Sequence, residues 1–573
     1  MPVHNKEIAD LFDELADLLE IEDSNPFRVR AYRNAAHTIR NHAENMADLI
    51  EHGSDLSKLP DIGNDLAEKI KTIVETGRLP LLEKVHSRTP AALGRIMEIR
   101  GLGPKRVKAL HEKLKIKSMD DLKHAAHTGK IRKLDGFGKK TEQMIKNRVK
   151  EFTQSEERIK LNEAEDIATP LRAYLKESKG IKNLTIAGSY RRRKETIGDL
   201  DILVTARKNT DVMERFVAYD EVKEIISQGE TRSTIRLRSG ISVDLRVVPE
   251  ESYGAALHYF TGSKAHNIAI RKMALEKKLK LNEYGIFRGK KRIGGNTEKE
   301  VYAQVGLPYI EPELRENRGE VDAAKENKLP DLVTLKDIRG DLHCHTKATD
   351  GKHTLKEMAQ AATKRGYEYF SINDHSEHMA MAHGLSEKRL LEQMEEIDRL
   401  NEILADTVIL KSIEVDILRD GSLDLPDRVL KELDFTVGAV HSKFNLSRTQ
   451  QTERILRAMD NPYFNILAHP TGRLINARTA YAINLEKIMR GAKERGCFIE
   501  LNAHPDRLDL TDDACIVAKE IELRVAISTD AHSISGLNSM RFGINQARRG
   551  WLEAVDVINC QPLKELKRLL NRR

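Results

Sequence analysis

The sequence predicts a multidomain chain with helical amino-terminal domains built on helix–hairpin–helix motifs, a central α+β domain, and a carboxyl-terminal (β/α)7 barrel. Three observations lead there. Three glycine hairpins, each followed by a helical run, fall within the first 150 residues. Two alternating strands carrying aspartates lie between 183 and 249. Seven short apolar strands, spaced by helical segments, follow residue 336. A chain of 573 residues is also too long for a single core.

Composition narrows the class. With 40% hydrophobic and 32% charged residues the chain reads as globular. No apolar run approaches the roughly 18 residues that span a bilayer, so no membrane partner is expected. The opening MPVHNKEIADLFDELADLLE has the pattern of an acidic amphipathic helix, unlike a signal peptide. Four scattered cysteines without a CxxC pair point to a reducing, cytoplasmic setting. The net charge of +7 is uneven: 63 Lys/Arg face 54 Asp/Glu up to residue 340, and 33 face 35 beyond it. Residues 101–150 alone hold 15 basic and 5 acidic side chains, which suits contact with a polyanion.

The hairpins are LPDIG (59–63), IRGLGPKR (99–106) and LDGFGKKT (134–141). Glycines permit the tight turn, and the helix that follows offers free N–H groups to a phosphate. Gly63, Gly101, Gly103, Lys105, Gly136, Gly138 and Lys139 are thus candidate contacts to a DNA backbone, gripped without reading bases. Lys69, one turn into the first of these helices, is a further phosphate contact or a candidate Schiff-base nucleophile.

The stretch NLTIAGSYRRRKETIGDLDILVTA (183–206) reads as strand, Gly-Ser turn, basic helix start and strand; SGISVDLRVVP (239–249) is a second alternating strand. Asp199 and Asp201, two apart, share a face, and Asp244 joins them if the strands pair. Three carboxylates suit two Mg²⁺ ions about 4 Å apart, an arrangement fitted to in-line phosphoryl transfer. Gly188, Ser189 and Arg192 supply donors and charge for a triphosphate.

These residues, with VDLRVVPEESYGAALHYFTGSKAHNIAIR (243–271) and LNEYG (281–285), resemble the family X DNA polymerases over about residues 1–315. The resemblance implies that Asp199, Asp201 and Asp244 bind the two Mg²⁺ and that Arg246 supports them. It implies that Gly188, Ser189, Arg192 and Gly198 hold the triphosphate, while Tyr259, Phe260 and Gly262 line the sugar pocket. Asn267 and Arg271 would touch the nascent pair. It makes Lys69 the candidate 5′-deoxyribose phosphate lyase lysine, although Asp65 stands where a second lysine is often found. Ser242 and Lys264 depart from the vertebrate pattern, at positions that bear on nucleotide affinity and fidelity.

After residue 336 the strands RGDLHCH, YFSINDH, VILKSIEV, FTVGAVH, FNILAHP, CFIELNA and RVAISTDAH alternate with helical segments. Their carboxyl ends carry His343, His345, Asp350, His375, Glu414, His441, His469, Asp530 and His532, where barrels place chemistry. Mixed imidazole and carboxylate donors suit Mn²⁺, Zn²⁺ or iron over Mg²⁺, and nine donors suffice for up to three ions. The expected reaction is phosphoester hydrolysis. The segment resembles the PHP (polymerase and histidinol phosphatase) family throughout, with every ligand position filled and Ser412 where a Gly is common.

Together the motifs resemble the bacterial and archaeal family X polymerases with a carboxyl-terminal PHP domain. The expected division is 1–86 an 8-kDa-like helical DNA-binding domain, 87–150 a fingers-like helix–hairpin–helix domain, 151–260 the nucleotidyltransferase palm and 261–315 the thumb. A polar linker (316–335) would lead to the PHP phosphoesterase domain, 336–573. The resemblance implies a monomeric repair polymerase that fills short gaps in primed or gapped DNA from dNTPs. It also implies a 3′–5′ exonuclease or phosphodiesterase in the PHP domain, with abasic-site cleavage as a further candidate activity. Two other readings are a small-molecule phosphoesterase with a DNA-binding amino-terminal half, and a non-catalytic DNA-end scaffold.

Overall fold

The computed structural model describes residues 5–41, 46–51, 53–76, 78–86, 88–97, 99, 102–156 and 158–572. The chain forms two compact units, residues 1–157 and residues 158–573.

The first unit is helical. Its amphipathic helices Asn5–Ile21 and Pro26–Asn41 pack through Phe12 and Tyr32, whose rings meet edge-on at 5.5 Å. Helices Asn64–Thr76, Pro104–Leu114 and Lys139–Glu156 begin directly after the three predicted hairpins. One apolar cluster runs from Ile8 to Val149, so the expected boundary at 86/87 is no break in packing. Leu66, Ile70 and Ile73 on one side of the boundary share that core with Val107 and Leu110 on the other.

In the second unit the helix Leu161–Lys176 leads into a five-stranded sheet: β1 Ile181–Ile186, β2 Asp199–Ala206, β3 Val222–Ser227, β4 Arg232–Leu237 and β5 Ser242–Val247, in the order β1-β2-β5-β4-β3. Strands β2 and β5 are parallel, with Asp201 beside Asp244 and Leu200 beside Val243. Period-two alternation sends Leu200, Ile202, Val204, Val243 and Leu245 into the core. Helices Tyr253–Thr261 and Lys264–Glu276 follow, then a small antiparallel sheet, β6 Lys280–Asn282, β7 Gly285–Arg288 and β8 Lys291–Gly294.

Seven parallel strands form the barrel: β9 Gly340–Asp341, β10 Tyr369–Ile372, β11 Val408–Lys411 continuing at Glu414–Asp416, β12 Val437–Ala439, β13 Ile466–Leu467, β14 Phe498–Asn502 and β15 Val525–Ser528. Each pairs with the next, and a parallel bridge between Cys344 and Ala531 joins last to first. Both faces are covered, so the strands are largely buried, β10 and β14 along their whole length. Capping boxes start two of the surrounding helices. Thr354 and Glu357 open Leu355–Lys364, and Ser447 and Gln450 open Arg448–Met459; each cap is worth about 1 kcal/mol.

Residues 316–335 differ from the polar linker expected. They contain the helix Glu320–Lys325, and Val333 lies in the barrel core. Glu320 is fully buried, accepting from His266 Nδ1 and from the backbone N–H groups of Asn317 and Arg318. Composition suggests that these charges are solvated, whereas each buried one has partners. The palm sheet and barrel are packed together as well. Ile475, Leu508 and Phe542 of the barrel join the palm's apolar cluster, and Glu195 takes a two-pronged hydrogen bond from Arg473 at 2.6 and 3.2 Å.

Candidate active sites

The first site lies where β2 and β5 run side by side. Because the register sets Asp201 against Asp244, with Asp199 two residues earlier, the three predicted carboxylates converge. Burial, with Asp199 and Asp244 alongside, pushes the Asp201 carboxyl up to about 7. Burial and Asp244 also raise Asp199. Such mutual repulsion is what a divalent cation relieves. Asp244 is flanked by Arg232 at 3.2 Å and by the Thr234 hydroxyl.

Gly188, between β1 and β2, has φ +59°, and a Cβ there would sit 2.6 Å from Asp201 Oδ2. Only glycine lets the turn come this close to the acid. The neighbouring Ser189 hydroxyl is buried without a hydrogen-bond partner. Arg192 donates through Nε to Glu316 at 3.0 Å and through Nη1 to the Thr261 carbonyl. Arg158, not singled out by the sequence reading, comes within 3.0 Å of a Cβ placed on Gly198 and adds positive charge beside Asp199.

Arg246 lies over the Phe260 ring at 4.5 Å, and its charge favours ionised Asp201. Arg271 lies over the Tyr259 ring at 5.0 Å, and Asn267 donates to the Tyr259 carbonyl at 2.7 Å while its own Oδ1 is buried without a partner. Gly262 turns the chain at φ +66° against Arg192 Nη1. The predicted sugar and base contacts thus border the aspartates through Arg246 and Arg192.

The second site is the carboxyl end of the barrel, where all nine predicted ligands gather. Donor atoms of His345, Asp350, His375 and His532 lie within 4.8 Å of one another, as do those of His343, His345 and Asp530, and those of His375, Glu414 and His441. His469 Nε2 lies 2.9 Å from Glu414 Oε1. Glu414 is the hub: His441 Nε2 is 3.3 Å from Oε1, and His375 Nδ1 is 2.9 Å from Oε2 without hydrogen-bond geometry. His345 Nδ1 is buried with no hydrogen-bond partner. A buried nitrogen left unpaired is costly unless something binds it, so this donor set fits divalent cations.

Without a cation, the charges of the cluster act on one another. Burial opposes ionisation of Glu414, yet His441, His375 and His343 hold its carboxyl well below the usual range. Burial likewise disfavours a charged His375, but Glu414 and Asp350 raise it to about 10. His345, buried beside His532 and His375, falls to about 4.

A second layer was not singled out from sequence. Glu500 Oε1 is 2.7 Å from His343 Nδ1, Asp416 Oδ1 is 3.2 Å from His441 Nδ1, and Arg507 Nε is 3.4 Å from Asp530 Oδ2. The available signal was Glu500 itself, an acid within the all-buried strand β14. Asp341, which the sequence reading leaves out of the ligand set, instead accepts from Thr529 N and Oγ1 and ties β9 to the end of β15.

In the helical unit Gly63, Gly103 and Gly138 stand just before their helices, Gly136 turns at φ +81°, and Lys105 and Lys139 lie in the first turns. Gly101 falls outside the described residues. Lys69 is ion-paired with Asp65 one turn back in the same helix.

The chain matches five family models: a helix-hairpin-helix domain over residues 3–79, a SAM-like helix-hairpin-helix tandem over 94–151, the DNA polymerase beta palm over 158–240, the DNA polymerase beta thumb over 256–316, and the PHP domain over 341–504. It is 36% identical over 575 residues, the full length of both chains, to the DNA polymerase/3′-5′ exonuclease PolX of Bacillus subtilis (strain 168). It is 27% identical over 354 residues to the DNA polymerase lambda of Arabidopsis thaliana, covering 55% of this chain and 62% of that one. A probable phosphatase of Acetivibrio thermocellus is 31% identical over 201 residues, 34% of this chain and 78% of its own length.

Proposed function

The chain belongs to the family of DNA polymerase/3′-5′ exonuclease PolX, the family X polymerases that carry a carboxyl-terminal PHP domain, and on that premise we propose that it fills short gaps in damaged DNA and trims 3′ ends. The observation that carries this reading is the presence of two complete ligand sets in one chain, Asp199/Asp201/Asp244 and the nine barrel residues.

In polymerisation the 3′-hydroxyl oxygen of the primer forms a bond to the α-phosphorus of a dNTP, and the bond to pyrophosphate breaks. Gly188, Ser189, Gly198 and Arg192 receive the triphosphate, and Arg246 offsets the negative charge of the aspartates. Tyr259, Phe260 and Gly262 abut the sugar, while Asn267 and Arg271 face the nascent pair. In trimming, a water oxygen attacks the terminal phosphodiester and releases a nucleoside 5′-monophosphate. Two Mg²⁺ ions would be held by the aspartates, and Mn²⁺ or Zn²⁺, up to three ions, by His343, His345, Asp350, His375, Glu414, His441, His469, Asp530 and His532. Bound cations supply charge neutralisation at phosphate and easier proton loss from the attacking oxygen.

The hairpin residues Gly63, Gly103, Lys105, Gly136, Gly138 and Lys139 hold the duplex backbone. Abasic-site cleavage belongs to the barrel in this reading. Lys69 is the candidate lyase residue once its pair with Asp65 is broken. The protein works as a monomer in the cytoplasm. One 3′ end cannot occupy both sites, so DNA transfers or dissociates between them.

A 5′-labelled primer on gapped DNA tests the reading. With Mg²⁺ and dNTPs the primer lengthens to fill the gap; with Mn²⁺ and no dNTPs it shortens in single-nucleotide steps. Hydrolysis of a small phosphate monoester with no change in primer length would instead favour the phosphatase reading, and DNA binding without turnover would favour a scaffold.

A further inference from the structure

Arg192 is fixed from the barrel. Its Nε donates to Glu316 Oε1 at 3.0 Å, and the same oxygen accepts from Arg549 Nη1 at 3.0 Å. Arg549 ends the barrel helix Met540–Arg549. Its Nη1 also donates to the Arg192 backbone carbonyl at 2.8 Å, and its Nη2 donates to Asp512, which in turn accepts from Arg318 at 2.7 Å. The result is a chain of alternating charge, Arg192–Glu316–Arg549–Asp512–Arg318, in which each carboxylate is shared by two guanidinium groups. Only 1% of the Arg549 side chain is exposed, so the contact is not a fluctuating surface pair.

The arrangement fixes one end of Arg192 and leaves the other available. Nε is taken by Glu316 and Nη1 by the Thr261 carbonyl; Nη2 has no hydrogen-bond partner among the described residues. Arg192 directly follows the turn Gly188–Arg191, whose Gly188 abuts the Asp201 carboxylate, and its charge favours the ionised forms of Asp199 and Asp201. A planar guanidinium held at two nitrogens presents the third in a set direction, which lowers the cost of ordering when an anion binds.

We propose that Arg549 of the barrel is a positioning residue for nucleotide binding at the palm, acting through Glu316 to aim Arg192 at the triphosphate. This rests on the assignment of Arg192 as a triphosphate ligand. The barrel therefore serves synthesis as well as degradation, through a contact that uses none of the nine ligand residues.

The test is single-nucleotide gap filling by the full-length chain, measuring KM for dNTP and kcat alongside DNA affinity and 3′–5′ trimming. Arg549→Met and Glu316→Gln are each expected to raise KM for dNTP about tenfold, with kcat, DNA affinity and trimming within about twofold of wild type. Arg549→Lys, which keeps the charge but loses the fork, is expected to fall between. In an Arg192→Ala background Arg549→Met is expected to add nothing, because both act on one interaction. Should Arg549→Met fold poorly, Glu316→Gln cuts the same link from its other end. An unchanged KM in folded Arg549→Met and Glu316→Gln would overturn the inference. So would an equal loss of extension, DNA affinity and trimming, or effects of Arg192→Ala and Arg549→Met that multiply independently. If Arg192→Ala itself leaves KM unaltered, the assignment of Arg192 has failed, and the inference falls with it.

Discussion

Nδ1 of His343 and a carboxylate oxygen of Glu500 lie 2.7 Å apart, both side chains fully buried. The contact orients the ring so that Nε2 faces inward, 3.1 Å from His345 Nε2. A carboxylate behind a ligating imidazole fixes its tautomer and raises its basicity. Glu500→Gln is therefore expected to weaken metal binding at the barrel about tenfold to hundredfold. Chelator competition followed by metal analysis checks this. Retention equal to wild type would reduce the contact to packing.

A pH effect follows from Glu298, which pairs with Arg191 at 2.6 Å and with Arg315 at 2.6 Å. Burial opposes its charge, but the two arginines hold its carboxyl down to about 2, below the ordinary 4.5. A depressed carboxylate contributes stability that is present above about 4.5 and lost as pH falls toward 2, here on the order of 3 kcal/mol. Trp551, the single tryptophan, packs against the thumb core and reports on it. Its emission is expected to shift red between pH 4.5 and 2, and Glu298→Gln to remove the step from that window.

The convergence of Asp199, Asp201 and Asp244, and of the nine barrel residues, was legible from sequence because strand periodicity and strand ends are local signals. Asp199 and Asp201 share a face in any strand, and His343 or His441 at a strand terminus needs no partner to be noticed. Residues acting across the chain were not legible: Glu500 and His343 are 157 residues apart, and Arg549 and Glu316 are 233 apart. Segment 316–335 escaped for the same reason, since composition cannot show that Glu320 is buried on His266. Apolar residues on the two sides of 86/87 share one core, a packing relation that motif spacing does not carry.

The hairpin lysines carry a salt prediction. If Lys105 and Lys139 neutralise phosphates, replacing both by Ala lowers the slope of log affinity against log salt by about 2, roughly 0.9 for each phosphate no longer neutralised. The weakening is expected to be the same for any DNA sequence. Titrations from low to moderate salt on two unrelated duplexes measure it; an unchanged slope would remove these residues from the interface.

Tyr259 is held in place by its carbonyl bond from Asn267 and by Arg271 over its ring. If Tyr259 abuts the sugar as proposed, Tyr259→Ala opens that side of the nucleotide site. Use of ribonucleotides relative to deoxyribonucleotides is expected to rise about tenfold to hundredfold, the range set by one steric contact against a hydroxyl. Competing the two substrates on one gapped template gives the ratio directly.

In the function proposed, one chain makes and breaks the same bond at two separate sites. It is tested most directly by Asp244→Ala and His343→Ala on a single gapped substrate, each assayed for extension and for 3′ shortening. Asp244→Ala is expected to abolish extension and keep shortening, and His343→Ala to do the reverse. Normal shortening by His343→Ala, or loss of both activities in either folded variant, would contradict it.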